Sequence, residues 1–284
     1  MLKPAFSDRH FYSPIVDLVE LDSARDRIWP DDPPDPPGID FRPDRQRALL
    51  REIAALARDY DYPQGAPSGV VDGFREPNGM FEGLDARMSF CLLRRFRPRC
   101  VIEVGCGFSS LLAADVNTRF LRPAAQITCI DPFPPPFLTA AVPGIDRLVA
   151  KKVQDVPLTL FEELEANDIL FIDSSHVVKT GSDVTFLHLE VLPRLREGVV
   201  IHIHDIFLPE DYPKEWVLGE RRSWSEQYLV RALLTYSCAF EVVFANHYAA
   251  LRLGPEVRET FGGLYGGGSL WIRRTADRGS AAGD

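Results

Sequence analysis

The stretch Val101–Ser110, "VIEVGCGFSS", reads as a strand that enters a glycine turn and then opens a helix. Val101, Ile102 and Val104 suit a buried strand. Gly105 and Gly107 permit backbone torsions, and an approach of a ligand to the main chain, that a Cβ would obstruct. Ser109 and Ser110 stand where the helix begins. A strand, a turn and a helix in this order form the first part of a repeating α/β unit.

The chain downstream continues the repeat. After the helix "SSLLAADVN" comes the strand "QITCI", ending at Asp131, and a third strand in "RLVAKKV". The helix "LTLFEELEA" leads to the strand "DILFI", ending at Asp173. The helix "FLHLEVLPRL" leads to "GVVIHI", which runs into His204 and Asp205. This alternation predicts an α/β fold, a Rossmann-like, doubly wound and mostly parallel sheet. Two further strands, "FEVVFAN" and "SLWIRR", break the rhythm and predict an antiparallel edge to a seven-stranded sheet. Upstream, "DRQRALLREIAALARDY" and "LDARMSFCLLRRFRPR" keep helical spacing, and Pro98 ends the second helix. "WPDDPPDPPGIDFRP" reads as an extended connector. The expected organisation is an N-terminal arm and connector over 1–45 and a main domain over 46–275. Within that domain, helices fill 46–98 and the Rossmann-like core fills 99–275, with an insert at 206–238. A polar tail over 276–284 is expected to be disordered.

Composition narrows the classes of partner. A formal net charge of −9 over 284 residues gives no general attraction to a nucleic-acid backbone, so no nucleic-acid partner is expected. No apolar run approaches a membrane span, and the first residues contain no apolar signal region. Five cysteines without a C-x-x-C pair suggest reduced thiols in a cytoplasmic protein, not a disulfide framework or a cysteine zinc site.

The glycine turn departs from a dinucleotide fingerprint in two places. Ser110 stands where a third glycine would be, and Glu103 lies two residues before Gly105, where it would repel a pyrophosphate. Both features disfavour a nicotinamide dehydrogenase. Asp131, at the end of the second strand, is placed to hydrogen-bond both hydroxyls of a ribose. A ligand with a ribose and a positive centre but no diphosphate fits these residues, and S-adenosylmethionine answers that description.

Taken with "NGMFEGLDA", "CIDPFP", "FIDSSHVVKTGSDV" and "HIHDIFLPEDYPKEW", the turn resembles the class I S-adenosylmethionine-dependent methyltransferases. Within them the chain looks like the methyltransferase-domain group common in bacterial biosynthetic and glycan gene neighbourhoods. The resemblance runs from about residue 75 to residue 275. It implies that Glu103, Gly105 and Gly107 contact the methionine portion and Asp131 the ribose, with Gln154 and Asp155 near the adenine.

In an open α/β sheet, ligands bind beyond the carboxyl ends of the strands. Asp173 and Asp205 end the fourth and fifth strands, so neighbouring strands would bring them to one rim beside the transferable methyl group. Asp173, expected also to contact the cofactor, Asp205, and His176 three residues after Asp173 are the candidate catalytic residues, with a carboxylate or the imidazole taking the proton of a substrate hydroxyl. Lys179 and Asp183 lie on the same segment and are candidates to orient His176. Some metal-dependent sugar-hydroxyl methyltransferases have a similar segment: an Asp, a His three residues later, and a Glu-Asp pair after the next strand. Asp173, His176 and Asp205 match, and His204 replaces the Glu. The resemblance implies a divalent ion, magnesium or manganese, on Asp173, His204 and Asp205, with the imidazole weakening the site or tilting it toward a softer ion.

His202 lies deeper in the fifth strand and reads as a hydrogen-bonded core histidine; His188, in mid-helix, also reads as structural. The aromatic-rich insert supplies Tyr212 and Trp216 as candidate acceptor-binding residues, with Glu210, Glu226 and Gln227 as candidate partners for hydroxyl groups. Tyr228, Ala232 and Tyr236 read as the buried stripe of a helix. The arm and the loop "DGFREPNGMF" are expected to close over the cofactor. The expected activity is methyl transfer from S-adenosylmethionine to the oxygen of a small-molecule or sugar hydroxyl, with a sugar or glycan intermediate among the candidate acceptors. N-methylation of an amine and a noncatalytic cofactor-binding or assembly module are the alternatives, and the reading is compatible with a homo-oligomer.

Overall fold

The glycine turn leaves the central strand of a seven-stranded sheet whose order is β3-β2-β1-β4-β5-β7-β6. The structure, a computed structural model, describes residues 5–7, 10–65 and 71–276; the expected disordered tail from residue 277 onward lies outside them. The strands are β1 Cys100–Val104, β2 Gln126–Ile130, β3 Arg147–Val149, β4 Ile169–Ile172, β5 Val200–Ile203, β6 Phe240–Ala245 and β7 Leu270–Arg274. The first five are parallel, and β7 runs antiparallel to both β5 and β6. This is the Rossmann-like sheet with an antiparallel edge that the alternating pattern predicts. β3 is a three-residue strand, and the helix in "LTLFEELEA" is a single turn, Thr159–Glu162.

Register arranges chemistry in rows across the sheet. Cys129, Glu103, Phe171, His202 and Trp271 are successive partners on β2, β1, β4, β5 and β7. Their side chains share one face because each strand alternates with period two. That face packs under the helices Pro43–Ala57, Gly83–Phe96 and Phe108–Phe120 through Ile53, Met88, Phe90 and Leu112. The opposite face buries Ile102, Leu170, Ile201 and Ile272 beneath Phe161, Val191 and Val230. His202 is 1% exposed, its ring stacked between Phe171 at 4.1 Å and Trp271 at 3.9 Å, with Nε2 2.7 Å from Ser269 Oγ. Burial, followed by the charge of His204, depresses its pKa well below the usual imidazole range. It is a neutral core histidine.

Packing anchors the connector and corrects one expectation. The Pro-rich connector does not stand free: Trp29 Nε1 donates to the Tyr212 carbonyl, Arg252 pairs with Asp32, and Phe41 is buried in a stack on Tyr248. Tyr228 and Tyr236 are not a buried stripe, being 49% and 84% exposed. The helix Glu226–Leu234 instead turns Glu226, Gln227, Val230 and Leu234 inward, so its buried face is offset from the aromatic spacing. Among the described residues no helix is long and apolar enough to cross a membrane. The five cysteines are unpaired; Cys91 and Cys129 are buried, whereas Cys238 is exposed.

The turn itself is a steric device. Gly105 has φ +83°, and a Cβ there would lie 1.7 Å from the carbonyl oxygen of Asp173. A Cβ on Gly107 would meet nothing within 4 Å. Gly105→Ala should therefore cost at least about 1–3 kcal/mol, the scale of a forced left-handed residue with a backbone clash. Gly107→Ala should fall within about 0.5 kcal/mol of the parent. Urea unfolding of the two variants checks the contrast.

Candidate active site

Two residues beyond the packed row, the strand ends bring Asp131, Gly105, Asp173 and His204 side by side. The backbone bonds Gly105 N to Ile130 O at 2.9 Å, Asp173 N to Val104 O at 2.8 Å and His204 N to Ile172 O at 2.9 Å hold them in register. Asp205 follows at φ 58°, and His176 on the neighbouring loop also has φ 58°. Left-handed torsions at non-glycine residues cost energy and persist where the surroundings hold them. The His176 carbonyl accepts from Ser225 N and Glu226 N, and the Ser175 amide and hydroxyl donate to Asp183. The loop is thus clamped between the insert and the helix that opens at Asp183.

Two cavities share this rim. The larger, about 530 Å³, is lined by Gly105, Asp131, Phe133, Gln154, Asp173 and Lys179 among others. The second, about 470 Å³, adds Met80, His176, His204, Asp205, Trp216 and Trp224. Gly105, Asp131 and Asp173 line both, so a ligand in one cavity abuts a ligand in the other. Asp131 accepts from Cys106 N at 3.0 Å and Phe133 N at 2.7 Å, which orients its carboxylate on the shared wall.

The second cavity has a floor of alternating acid and imidazole. His176 Nδ1 lies 2.9 Å from Glu226 Oε2, while its Nε2 lies 3.2 Å from Asp173 Oδ1 and 3.5 Å from Asp205 Oδ2. Glu226 is fully buried and also meets His188 Nε2 at 2.8 Å. Burial alone would push the His176 pKa down, but hydrogen bonds to Asp173 and Glu226 outweigh it and raise the value to about 10. His204 Nε2 faces Asp85 at 3.4 Å and its Nδ1 faces Asp173 and Asp205 at 3.6 Å each. These carboxylates hold the His204 pKa well above its usual range despite burial. The two imidazoles in turn keep Asp173 ionised against its own burial. Asp173, His176 and Asp205 present ligand atoms within 4.8 Å of one another, a group able to hold a metal ion.

The sequence-derived residues divide into two groups. Gly105, Asp131, Gln154, Asp173, His176, His204, Asp205 and Trp216 stand on the cavity walls. Glu103 stands below them, 1% exposed, with its carboxylate on Ser109 Oγ at 2.5 Å and Cys129 Sγ at 3.6 Å; burial raises its pKa to about 7. Gly107 and Asp155 line neither cavity. Tyr212 is 2% exposed, its hydroxyl accepting from Gln227 N, so it supports the insert instead of facing an acceptor. Glu226 and Gln227 are likewise turned inward, Gln227 onto the backbone of Phe207 and Glu210. His247 pairs with Glu210 beside a separate cavity that Trp29 of the arm also lines. The loop "DGFREPNGMF" brings Met80 to the second cavity, not to the larger one that Phe133 and Gln154 line. Lys179 lines the larger cavity, and Asp183 orients the His176 loop through Ser175.

Residues that local reading missed are Asp85, Arg222 and the buried role of Glu226. Asp85 sits in the quoted segment "NGMFEGLDA", yet an acid in a first helical turn is ordinary. Here it accepts from Gly268 N, Ser269 N and Asn246 Nδ2 while facing His204.

A family profile described as a methyltransferase domain matches residues 102–206, a span that starts in β1 and ends just past Asp205. An uncharacterized protein of Archaeoglobus fulgidus is 34% identical over 169 residues, covering 58% of this chain and 76% of that protein. Over residues 102–206 the chain is a methyltransferase domain. Among solved structures, this methyltransferase is similar to the O-methyltransferase TomG of Streptomyces achromogenes in complex with SAM. That pair shares 17% identity over 80% of this chain and 89% of the other, with a TM-score of 0.42. It is similar also to SAH-bound PaMTH1 of Podospora anserina, at 14% identity over 80% and 88% of the chains, with a TM-score of 0.45.

The two active-site histidines should titrate in opposite senses to His202. Imidazole NMR should show His202 neutral at pH 6 and His176 protonated up to about pH 10, with Glu226→Gln lowering the latter value. Because the folded pKa of His176 exceeds its unfolded value, its ion pairs stabilise the fold fully below about pH 6.5, and the contribution fades as pH rises through about 10.

Proposed function

We propose that the methyltransferase binds S-adenosylmethionine in the larger cavity and methylates a hydroxyl of a small molecule held in the second. The observation that carries this reading is the wall common to both cavities, built from Gly105, Asp131 and Asp173. The bound cofactor supplies a methyl group activated by a sulfonium. On the protein side, Asp131 accepts from the ribose hydroxyls, and the open main chain at Gly105 admits the methionine portion. Phe133, 85% exposed on the cavity lip, offers an apolar face to the adenine. Asp173, ionised and on the wall, draws positive charge toward the acceptor side.

A hydroxyl must lose its proton as the methyl arrives, and the second cavity meets that demand. With positive charge beside Asp173, His176 releases its Nε2 proton to solvent through the cavity, while Nδ1–H keeps its hydrogen bond to Glu226. Nε2 then accepts the hydroxyl proton, and Asp205 beside it stabilises the imidazolium that forms.

The same floor fits a divalent cation by its donor chemistry. Asp173, His176 and Asp205 converge, and both ring nitrogens of buried His204 lack a hydrogen-bond partner. Asp173 and Asp205 with His204, once that imidazole has lost a proton, would hold the ion and leave His176 as the base, and the ion would supply charge that lowers the pKa of an acceptor hydroxyl. Imidazole in the set favours manganese or a softer ion over magnesium.

Calorimetry should show S-adenosylmethionine binding in preference to NAD; the reverse preference would sink the reading. Asp131→Ala should weaken that binding about tenfold to a hundredfold, the scale of lost hydrogen bonds to a charged group. His176→Ala should keep cofactor affinity within a few-fold while turnover falls about 10²–10⁴-fold. Manganese binding, read by calorimetry without substrate, should be lost in Asp205→Asn.

A further inference from the structure

The floor of the second cavity is acidic, but its lip carries one fixed positive charge. Among the described residues lining that cavity, Arg222 is the single Arg or Lys. Its guanidinium lies 4.0 Å from the ring centroid of Trp216 and 4.6 Å from that of Trp224. Its amide donates to the Trp216 carbonyl at 2.9 Å, and the preceding Arg221 takes φ 60° to turn the chain there. Trp216 and Trp224 meet edge to face, at 5.3 Å and 78°, and the insert packs the guanidinium against both indoles. A guanidinium packed against indole rings offers its N–H donors at its edge, the geometry that suits carboxylate and phosphate.

Among the described residues, the charge meets only a surface partner. Glu220 Oε2 lies 2.6 Å from Arg222, and its side chain is 44% exposed. Exposed pairs of this kind contribute little, and one carboxylate does not exhaust five N–H donors. An incoming anion can therefore share the fork or displace Glu220.

Distance sets the size of the acceptor. The His176 ring lies 4.3 Å from the Trp224 ring, and Trp224 in turn flanks Arg222. The base and the guanidinium therefore lie against the same indole, within the span of one substituted sugar or benzene ring. Trp216 and Trp224 offer apolar faces to such a ring.

Resting on the proposed methyl transfer to oxygen, we infer that the acceptor is a hydroxylated single-ring compound bearing a carboxylate or phosphate, with its anionic group on Arg222 and its reacting hydroxyl at His176. The anion stays at the lip, away from Asp173 and Asp205, so recognition and chemistry use opposite ends of the cavity. Arg222 is then the residue that sets acceptor specificity.

The test uses the full chain, methyl-labelled S-adenosylmethionine and a small-molecule extract of the source cells. The labelled product is expected to bind an anion-exchange resin at pH 7. Release by phosphatase identifies a phosphate, and resistance identifies a carboxylate. With the acceptor so purified, Arg222→Gln should raise its KM at least tenfold and leave cofactor affinity within twofold. Glu220→Gln, which removes the competing carboxylate, should lower the same KM. Label in a neutral or cationic product, or a KM unchanged in both variants, overturns the assignment while leaving methyl transfer intact. No labelled product of any charge overturns the methyl-transfer reading itself, and this assignment with it.

Discussion

The contact between the Gly105 turn and the Asp173 peptide governs the rest of this site. β1 and β4 are adjacent, and their ends approach so closely that a Cβ on Gly105 would fall 1.7 Å from the Asp173 oxygen. That closeness places the glycine turn and the Asp173 carboxylate on one wall. Asp173 then reaches both cavities, and the register of β4 with β5 sets His204 beside it. A wider turn would part the two pockets, and two ligands could no longer meet across a bond-forming distance. Positioning of this kind supplies much of the rate in a transfer between two bound molecules.

Charge balance is the second constraint. Asp173, Asp205, Asp85 and Glu226 crowd a small volume, and two of them, Asp85 and Glu226, are buried. Such a group of like charges is tolerable only because His176 and His204 lie between them as cations. The partners behind the two histidines come from outside the parallel strands, Asp85 from the helix Gly83–Phe96 and Glu226 from the insert. With its pKa raised to about 10, His176 is expected to carry a proton at neutral pH. This differs from the neutral base that an isolated imidazole pKa suggests, and it ties deprotonation to the arrival of positive charge.

Much of this was legible in the sequence because it depends on short-range patterns. Strand–helix alternation, the glycine turn and acids at strand ends are local, so the sheet and the rim residues Asp131, Asp173 and Asp205 could be read from spacing. The residues misread are those whose surroundings are distant in the chain. Tyr228 and Tyr236 carry a helical spacing, but the helix Glu226–Leu234 is rotated by the demand to bury Glu226 against His176 and His188. Tyr212 looks like a loop aromatic, yet it is buried because its hydroxyl meets Gln227 N. The connector looks like a linker, yet Phe41 finds Tyr248 far along the chain.

By itself, the sequence determined the order of strands and helices and which acids end them, since propensity and period act between near neighbours. Tertiary structure alone decided what those acids face. Asp85 and Glu226 reach His204 and His176 only after remote segments pack, and Arg222 becomes a cavity residue only against Trp216 and Trp224. Protonation and acceptor recognition both depend on fields and contacts between groups distant in sequence. Those interactions fall off with separation in space, not along the chain.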